Sequence, residues 1–324
     1  MKAVMIDRYG GGEVLHVADA PVPDPGPGQV RVRVRAAGVN PADTYMVRGG
    51  YEFVDVPLPW IPGYDEAGEV DALGPDVTGL AAGQRVFVAG TLGNNPGAFA
   101  EYHIASAAVC LPLPDRISFE EGAALGVPYV TAYRALFQRA HLRPSETVLV
   151  HGASGGVGQA CVQFARARGA TVVATAGSVE GLELARAQGA HVTVDHTAPD
   201  HTDLLRAAVP GGYDVVAEMA ASSNLTDDIA LVARGGRIVV IGARGPVDVA
   251  PRGLMRPEAA ILGVALWNAE EVEQREALAA IAAGVAAGTL RPRIDSVVAL
   301  ERAGEAFDRV TSGHRHGKVV LAVV

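Results

Sequence analysis

The chain has 324 residues, a formal net charge of −9, 49% hydrophobic and 19% charged residues, material for two domains at the usual ~100–200 residues each. That balance excludes a disordered chain, and an acidic chain without a basic cluster is a poor candidate for nucleic-acid binding. Lys2 and Lys318 are the only lysines, and two distant cysteines, Cys110 and Cys161, exclude a disulfide framework and a zinc site of several thiolates.

The opening MKAVMIDRYGGG has no apolar signal region, and no run approaches the ~20 apolar residues that span a bilayer. The expectation is a soluble, cytoplasmic protein. Residues Val30–Val39 alternate apolar and charged side chains with period two, the pattern of a half-buried strand. Ala67–Gly74 and Gln84–Gly90 read as further short strands, separated by Gly/Pro-dense turns such as Pro21–Gly28 and Val56–Gly63. An apolar helical stretch is predicted over Phe119–Phe137, and strand-helix units then begin. Thr147–His151, Thr171–Ala176, HVTVD, Tyr213–Met219, Gly235–Gly242 and Ala259–Leu266 are short apolar strands. Helical patterns at Val157–Arg168, Gly181–Ala190 and from about Leu225 lie between them. That alternation implies a parallel sheet covered on both faces. An alanine-rich helix over Glu270–Gly284 and a strand-like GKVVLAVV form a C-terminal return that periodicity assigns to neither half.

The sharpest motif is VLVHGASGGVGQA, Val148–Ala160, where Gly152, Gly155 and Gly158 stand three apart between a strand and a helix. A dinucleotide site needs glycine there for a tight turn, for approach of backbone N–H groups to pyrophosphate, and for helix–strand packing. The same residues match G-x-S-x-G, the nucleophile elbow of α/β-hydrolases, which would make Ser154 a nucleophile with Asp214 and His314 as partners. The elbow has no use for Gly158, and the β-rich N-terminal part lacks the strand-helix alternation expected before it. An NAD site places Asp or Glu at the end of the second strand. Here Ala174–Ser178 carries none, and the first acid is Glu180, which argues for NADP(H).

GVNPADTY, PGYDEAGEV, GASGGVGQA, ATAGS, EMAASSNL, IGARG and GVAL, in this order, resemble the zinc-independent medium-chain dehydrogenase/reductases, most closely the ζ-crystallin-like quinone oxidoreductases. The resemblance covers nearly the whole chain. It implies an α/β protein with a GroES-like β-rich catalytic domain over 1–122 and 268–324, and a doubly wound parallel-sheet Rossmann domain over 123–267. It places Tyr45 beside the nicotinamide, Ser154, Gly155, Gly156 and Val157 on the pyrophosphate, and Gly177 and His196 near the 2′-phosphate. Asn224, Ile241, Gly242, Ala243, Arg244, Val264, Ala265 and Leu266 complete the implied cofactor site. A homodimer or homotetramer is the implied assembly.

Zinc-dependent relatives place Cys where this chain has Asn40 and Gly-His-Glu where it has Gly63-Tyr64-Asp65. Their four-cysteine lobe has no counterpart in GTLGNNPGAFAEY, and no HxxxH or HExxH exists, so no metal site is expected, His314 and His316 notwithstanding. The implied reaction is hydride transfer from NADPH to a quinone, with Asn40 and Tyr45 polarising the acceptor oxygen and Thr131 behind them. Asn40 also reads as a turn residue before Pro41, Tyr45 as a wall residue, and Arg48 as a substrate guide or a surface charge. VPLPWIPG and GTLGNNPGAF are expected to line the acceptor site. The alternatives are an enone or alkenal double-bond reductase with the same cofactor, and, outside enzymology, an RNA-binding or structural crystallin-like role. Short-chain reductases are excluded, because neither lysine follows a tyrosine by four residues. Both cysteines are expected to pack in apolar surroundings without a catalytic role.

Overall fold

A computed structural model describes residues 1–90, 96–313 and 315–323. The chain forms two compact units, Met1–Val130 with Ala269–Val324, and Thr131–Asn268.

In the first unit β1 (Lys2–Met5) and β2 (His16–Asp19) pair as an antiparallel ribbon. The long β3 (Gln29–Val39) buries Val30, Val32, Val34 and Ala36 on one face. On the other face Arg31 bonds Asp71 and Arg35 bonds Glu69. Helix α1 (Pro41–Arg48) follows, then β4 (Asp65–Leu73), β5 (Arg85–Val88), β6 (Tyr102–Ser106), β7 (Cys110–Pro112), α2 (Phe119–Gly122) and α3 (Gly126–Tyr133).

The second unit alternates strand and helix: β8 (Thr147–Val150), α4 (Gly156–Ala167), β9 (Thr171–Ala176), α5 (Val179–Ala187), β10 (Val192–Asp195), α6 (His201–Ala208), β11 (Tyr213–Glu218), α7 (Ala221–Leu231), β12 (Val232–Val240), α8 (Arg252–Met255) and β13 (Ala260–Gly263). Its strands lie in the order β10-β9-β8-β11-β12-β13, all parallel. They are apolar almost throughout because helices cover both faces. The chain winds outward from β8 through β9 to β10 and returns to β11 on the other side, so the strand order reverses between β8 and β11. Ligands of such sheets bind at the carboxyl ends of the strands at that reversal. The core here includes Leu149, Val173, Leu205, Tyr213, Val216 and Ile238, each apolar side chain contributing about 1.5–3 kcal/mol on full burial.

The chain then returns to the first unit through α9 (Glu271–Ala287), β14 (Ile294–Ala299), α10 (Ala303–Thr311) and β15 (Lys318–Ala322). Strand β15 lies between β14 and β3, pairing Leu321 with Ala37, in a sheet of order β14-β15-β3-β4-β5-β7 with β6 also on β3. Two glycine contacts fix how closely the pieces approach. A Cβ on Gly38 would lie 2.8 Å from Lys318 Cε, and one on Gly126 would lie 2.1 Å from Asp65 Oδ1.

Several boundaries differ from the sequence pattern. The helical stretch predicted as Phe119–Phe137 is broken into α2, α3 and a π-helical turn over Arg134–Arg139. Glycines 122 and 126 punctuate it, and Arg237 bonds Ala140 O and Glu146 at its far end. Helix α7 starts at Ala221, four residues before Leu225. Its N-cap, Ala220, offers no capping side chain, and the Ala221 N–H is instead satisfied by Gly242 O, from a distant turn. The pattern at Asn40-Pro41 is that of a turn, and the structure continues it into helix α1, with Asn at the N-cap and Pro at the first position as a helix start requires. Among the described residues no helix is long and apolar enough to cross a membrane.

Candidate active site

In the first unit the end of β3 delivers Asn40 into a buried polar cluster. Asn40 is 3% exposed, Asp43 1%, Asp65 0% and Lys318 4%. The Asn40 N–H donates to Asp43 Oδ2 at 2.7 Å, closing the first turn of α1. Asn40 Nδ2 donates to Asp65 Oδ2 at 2.8 Å, and Lys318 Nζ donates both to Asn40 Oδ1 and to Asp65 Oδ2, the latter at 2.8 Å. The second Asp65 oxygen accepts the Val127 N–H at 2.6 Å. A lysine can only donate and a carboxylate can only accept, so the partners alone fix which way the Asn40 amide points. Burial pushes the Asp43 carboxyl up to about 7; the Asn40 N–H and Lys318 oppose the rise and the charge on Asp65 adds to it.

Tyr45, one turn beyond Asn40, is half-buried and stacks on Tyr51 with ring centroids 6.2 Å apart; Phe53 meets Tyr51 edge-on at 5.4 Å. Tyr51 and Phe53 also line a depression of about 290 Å³ with Tyr9 and Val56. Arg48 is exposed. Thr131 is half-buried on α3, the first residue of the second unit. Of the expected acceptor lining, residues 91–95 lie outside the described residues, as does His314.

In the second unit the glycine turn has the geometry its chemistry needs. Gly152 has φ +58°. A Cβ on Gly158 would sit 2.3 Å from Gly152 O, so only glycine lets α4 pack against the turn. Gly155 is the N-cap of α4 and makes no side-chain cap bond. The first N–H groups of this twelve-residue helix therefore face outward as a ready anion site, reinforced by the helix dipole. Ser154 precedes this start. The hydrolase alternative fails on geometry: Asp214 bonds the Thr147 N–H at the amino ends of β8 and β11, opposite to Ser154.

At the end of β9, Gly177 is pressed against His196: a Cβ there would lie 2.6 Å from His196 Nε2. Asn224 on α7 donates to both oxygens of Glu218, at 3.1 and 3.2 Å. The N–H groups of Ile241 and Gly242 bond Glu218 O, and the Val264 N–H bonds Val240 O. The Arg244 N–H donates to Ser222 Oγ at 2.8 Å. Ala243 and Ala265 belong to the same turns, and Leu266 is buried beside them. The structure thus gathers the predicted cofactor residues of this unit at the carboxyl ends of parallel strands. It adds Asp43, Asp65 and Lys318 to Asn40, none of which sequence reasoning singled out; a lysine opening an apolar strand, in a chain with two lysines, is the signal by which the last could be found.

Residues 188–321 match the family described as Zinc-binding dehydrogenase, and residues 26–115 match the Alcohol dehydrogenase GroES-like domain. The chain is 41% identical to the quinone oxidoreductase of Mus musculus over 99% of its length and 97% of that protein's, and 40% identical to that of Homo sapiens over the same shares. The chain belongs to the zinc-independent quinone oxidoreductases of the medium-chain dehydrogenase/reductase family. Among solved structures, a mycobacterial protein complexed with NADPH superposes with TM-score 0.88 at 28% identity, and an NAD-dependent alcohol dehydrogenase with TM-score 0.91 at 33%, each over 100% of both chains.

The family description Zinc-binding dehydrogenase implies zinc, and the residues around Asn40 do not fit it. Asn40 spends its amide on Asp65 and Lys318, burial raises the Tyr64 phenol above its ordinary pKa, and Asp65 is already neutralised by an ammonium group. The remaining donors are a poor set for a zinc ion. Cys110 and Cys161 are both buried, and burial pushes the Cys161 thiol up to about 12 and raises Cys110 likewise, so neither is a ready thiolate.

Proposed function

We propose that this quinone oxidoreductase family member reduces quinones with NADPH and without a metal. The observation that carries the cofactor choice is Gly177 against His196, where an NAD site would set a carboxylate at the end of β9. No acid follows β9 itself, and Asp195, opposite Ala176 at the end of β10, is engaged by the Thr197 N–H and hydroxyl, which leaves the His196 imidazole as a donor for a 2′-phosphate. The α4 N-terminus and the turn Ser154–Val157 suit the pyrophosphate. NADPH, when bound, supplies a hydride that, with a proton from solvent, converts a quinone to its hydroquinone.

The chain's own contribution is orientation and charge stabilisation. Lys318 and Asp65 lock Asn40, which starts α1, and α1 carries Tyr45. In this reading the Tyr45 hydroxyl donates to the acceptor oxygen as negative charge develops on it, and Asn40 holds the helix that presents it. Thr131 is assigned a supporting role, and a homodimer or homotetramer the working assembly. Light scattering measures the latter. Steady-state oxidation of NADPH against a panel of quinones, enones and aldehydes, repeated with NADH, tests the reading. Quinone turnover with NADPH supports it; turnover confined to enones, or faster with NADH, replaces it with a double-bond reductase or an NAD enzyme.

A further inference from the structure

Beneath the turns of the second unit lies a buried group that the reaction above does not use. His151 directly follows β8, Glu218 ends β11, and Asp228 stands one helical turn beyond Asn224 on α7. Glu218 and Asp228 are 0% exposed and His151 5%. One ligand-type atom from each of the three lies within 4.8 Å of the others. His151 Nε2 is 2.9 Å from Asp228 Oδ1 and 3.7 Å from Glu218 Oε2, and its Nδ1 is 3.2 Å from Thr175 Oγ1 at the end of β9. Thr175 Oγ1 in turn accepts the Gly152 N–H at 3.4 Å. Glu218 accepts the Asn224 amide and the Ala220 N–H.

The hydrogen bonds leave one atom over. Asp228 Oδ2 is buried with no partner, and a carboxylate oxygen of Glu218 lies within 4.8 Å of one of Asp228. Two buried carboxylates in contact do not both ionise. One proton between them satisfies the orphaned oxygen and removes the repulsion. Burial pushes both acids up to about 7 and holds His151 below its ordinary value, as such a shared proton with a neutral imidazole requires.

We propose that Glu218 and Asp228, joined by a shared proton and braced by His151, are positioning residues that set the Asn224 amide and the turns after β8, β9 and β11 for nucleotide binding. The inference rests on the cofactor reading given above. The sheet supports it: β9, β8 and β11 are neighbours, the strand order reverses between the last two, and the triad joins the carboxyl ends of all three. The other titratable groups near it are Asp227 on α7, His201 at the start of α6 and His196 after β10.

The test is a fluorescence titration of NADPH with full-length wild type, Asp228→Asn and Asp228→Leu, alongside quinone turnover. Asparagine can still accept from His151 and donate to Glu218, whereas leucine strands the glutamate. Asp228→Leu should raise the NADPH Kd about tenfold or more with kcat at saturating NADPH within about twofold, and Asp228→Asn should restore affinity. An unchanged Kd in Asp228→Leu, or a fall in kcat with Kd unmoved, overturns the proposal. Should Asp228→Leu not fold, affinity at pH 6 and pH 8.5 decides. The wild type loses affinity with the shared proton as pH rises and Asp228→Asn keeps it; an identical loss in both overturns the proposal. A wild type that binds neither NADPH nor NADH refutes the cofactor reading and the proposal with it. Wild-type binding with indifferent variants refutes the proposal alone.

Discussion

Lys318 donates a hydrogen bond to Asn40 across 278 positions of sequence, in a pocket where neither residue is more than 4% exposed. The ammonium also closes on Asp65, so one cation serves an amide and a carboxylate. Lys318→Met strands a buried charge on Asp65 and should lower stability by about 3–5 kcal/mol. A urea melt checks it, and a midpoint within error of wild type would show that the pair is not bonded. Lys318→Arg keeps the charge and should retain part of the loss.

The Asp43 carboxyl makes stability fall with rising pH. Its pKa, ordinarily near 3.9, stands at about 7 in the fold. The native state therefore holds a proton that the unfolded chain has released, and stability is lost from about pH 4 through about pH 7 and is level above. Asp43→Asn keeps an acceptor for the Asn40 N–H and should flatten this slope, with up to about 4 kcal/mol of relative gain at pH 7.5 over pH 4. Thermal melts across that range are the measurement; parallel curves for variant and wild type would contradict it. Glu218 and Asp228 titrate in the same window, so the wild-type-minus-variant difference is the quantity to read.

His196→Ala should raise the KM for NADPH about tenfold while leaving the KM for NADH within about twofold, because only NADPH carries the 2′-phosphate. Gly177→Asp sets a carboxylate at the end of β9 and displaces the imidazole, whose Nε2 lies 2.6 Å from the new Cβ. The preference should then turn toward NADH. Equal effects on both cofactors would place the 2′-phosphate elsewhere.

Tyr45→Phe removes one hydroxyl from a half-buried ring that keeps its stacking on Tyr51. It should lower kcat with quinones roughly tenfold to a hundredfold at unchanged NADPH KM and unchanged melting temperature. Unaltered kcat would make Tyr45 a wall residue.

Much of the second unit was legible because its signals are local. The strand TVLVH, the three glycines and the helix start occupy the twelve consecutive residues Thr147–Gly158, and the missing acid after TVVATA needs only the end of one strand. The polar clusters were not, because each is assembled from segments far apart. Locally Asn40 reads equally as a turn residue or as a group that polarises the acceptor, since its partners are Lys318 and Asp65, and no local rule joins those three. His151 read as the last residue of a strand, and Asp228 as part of a helix whose start was misplaced. In that helix the cap comes from Gly242 O rather than from its own sequence. Buried charges chosen for their partners leave no periodic trace.

The insertion of β15 between β14 and β3 sets a timetable. The second unit is a single continuous stretch, and its contacts can be made as it leaves the ribosome. The first unit cannot complete its sheet, nor Asn40 find its ammonium partner, until residues 318–322 emerge. During synthesis β3 stays exposed along one edge until those residues have been made.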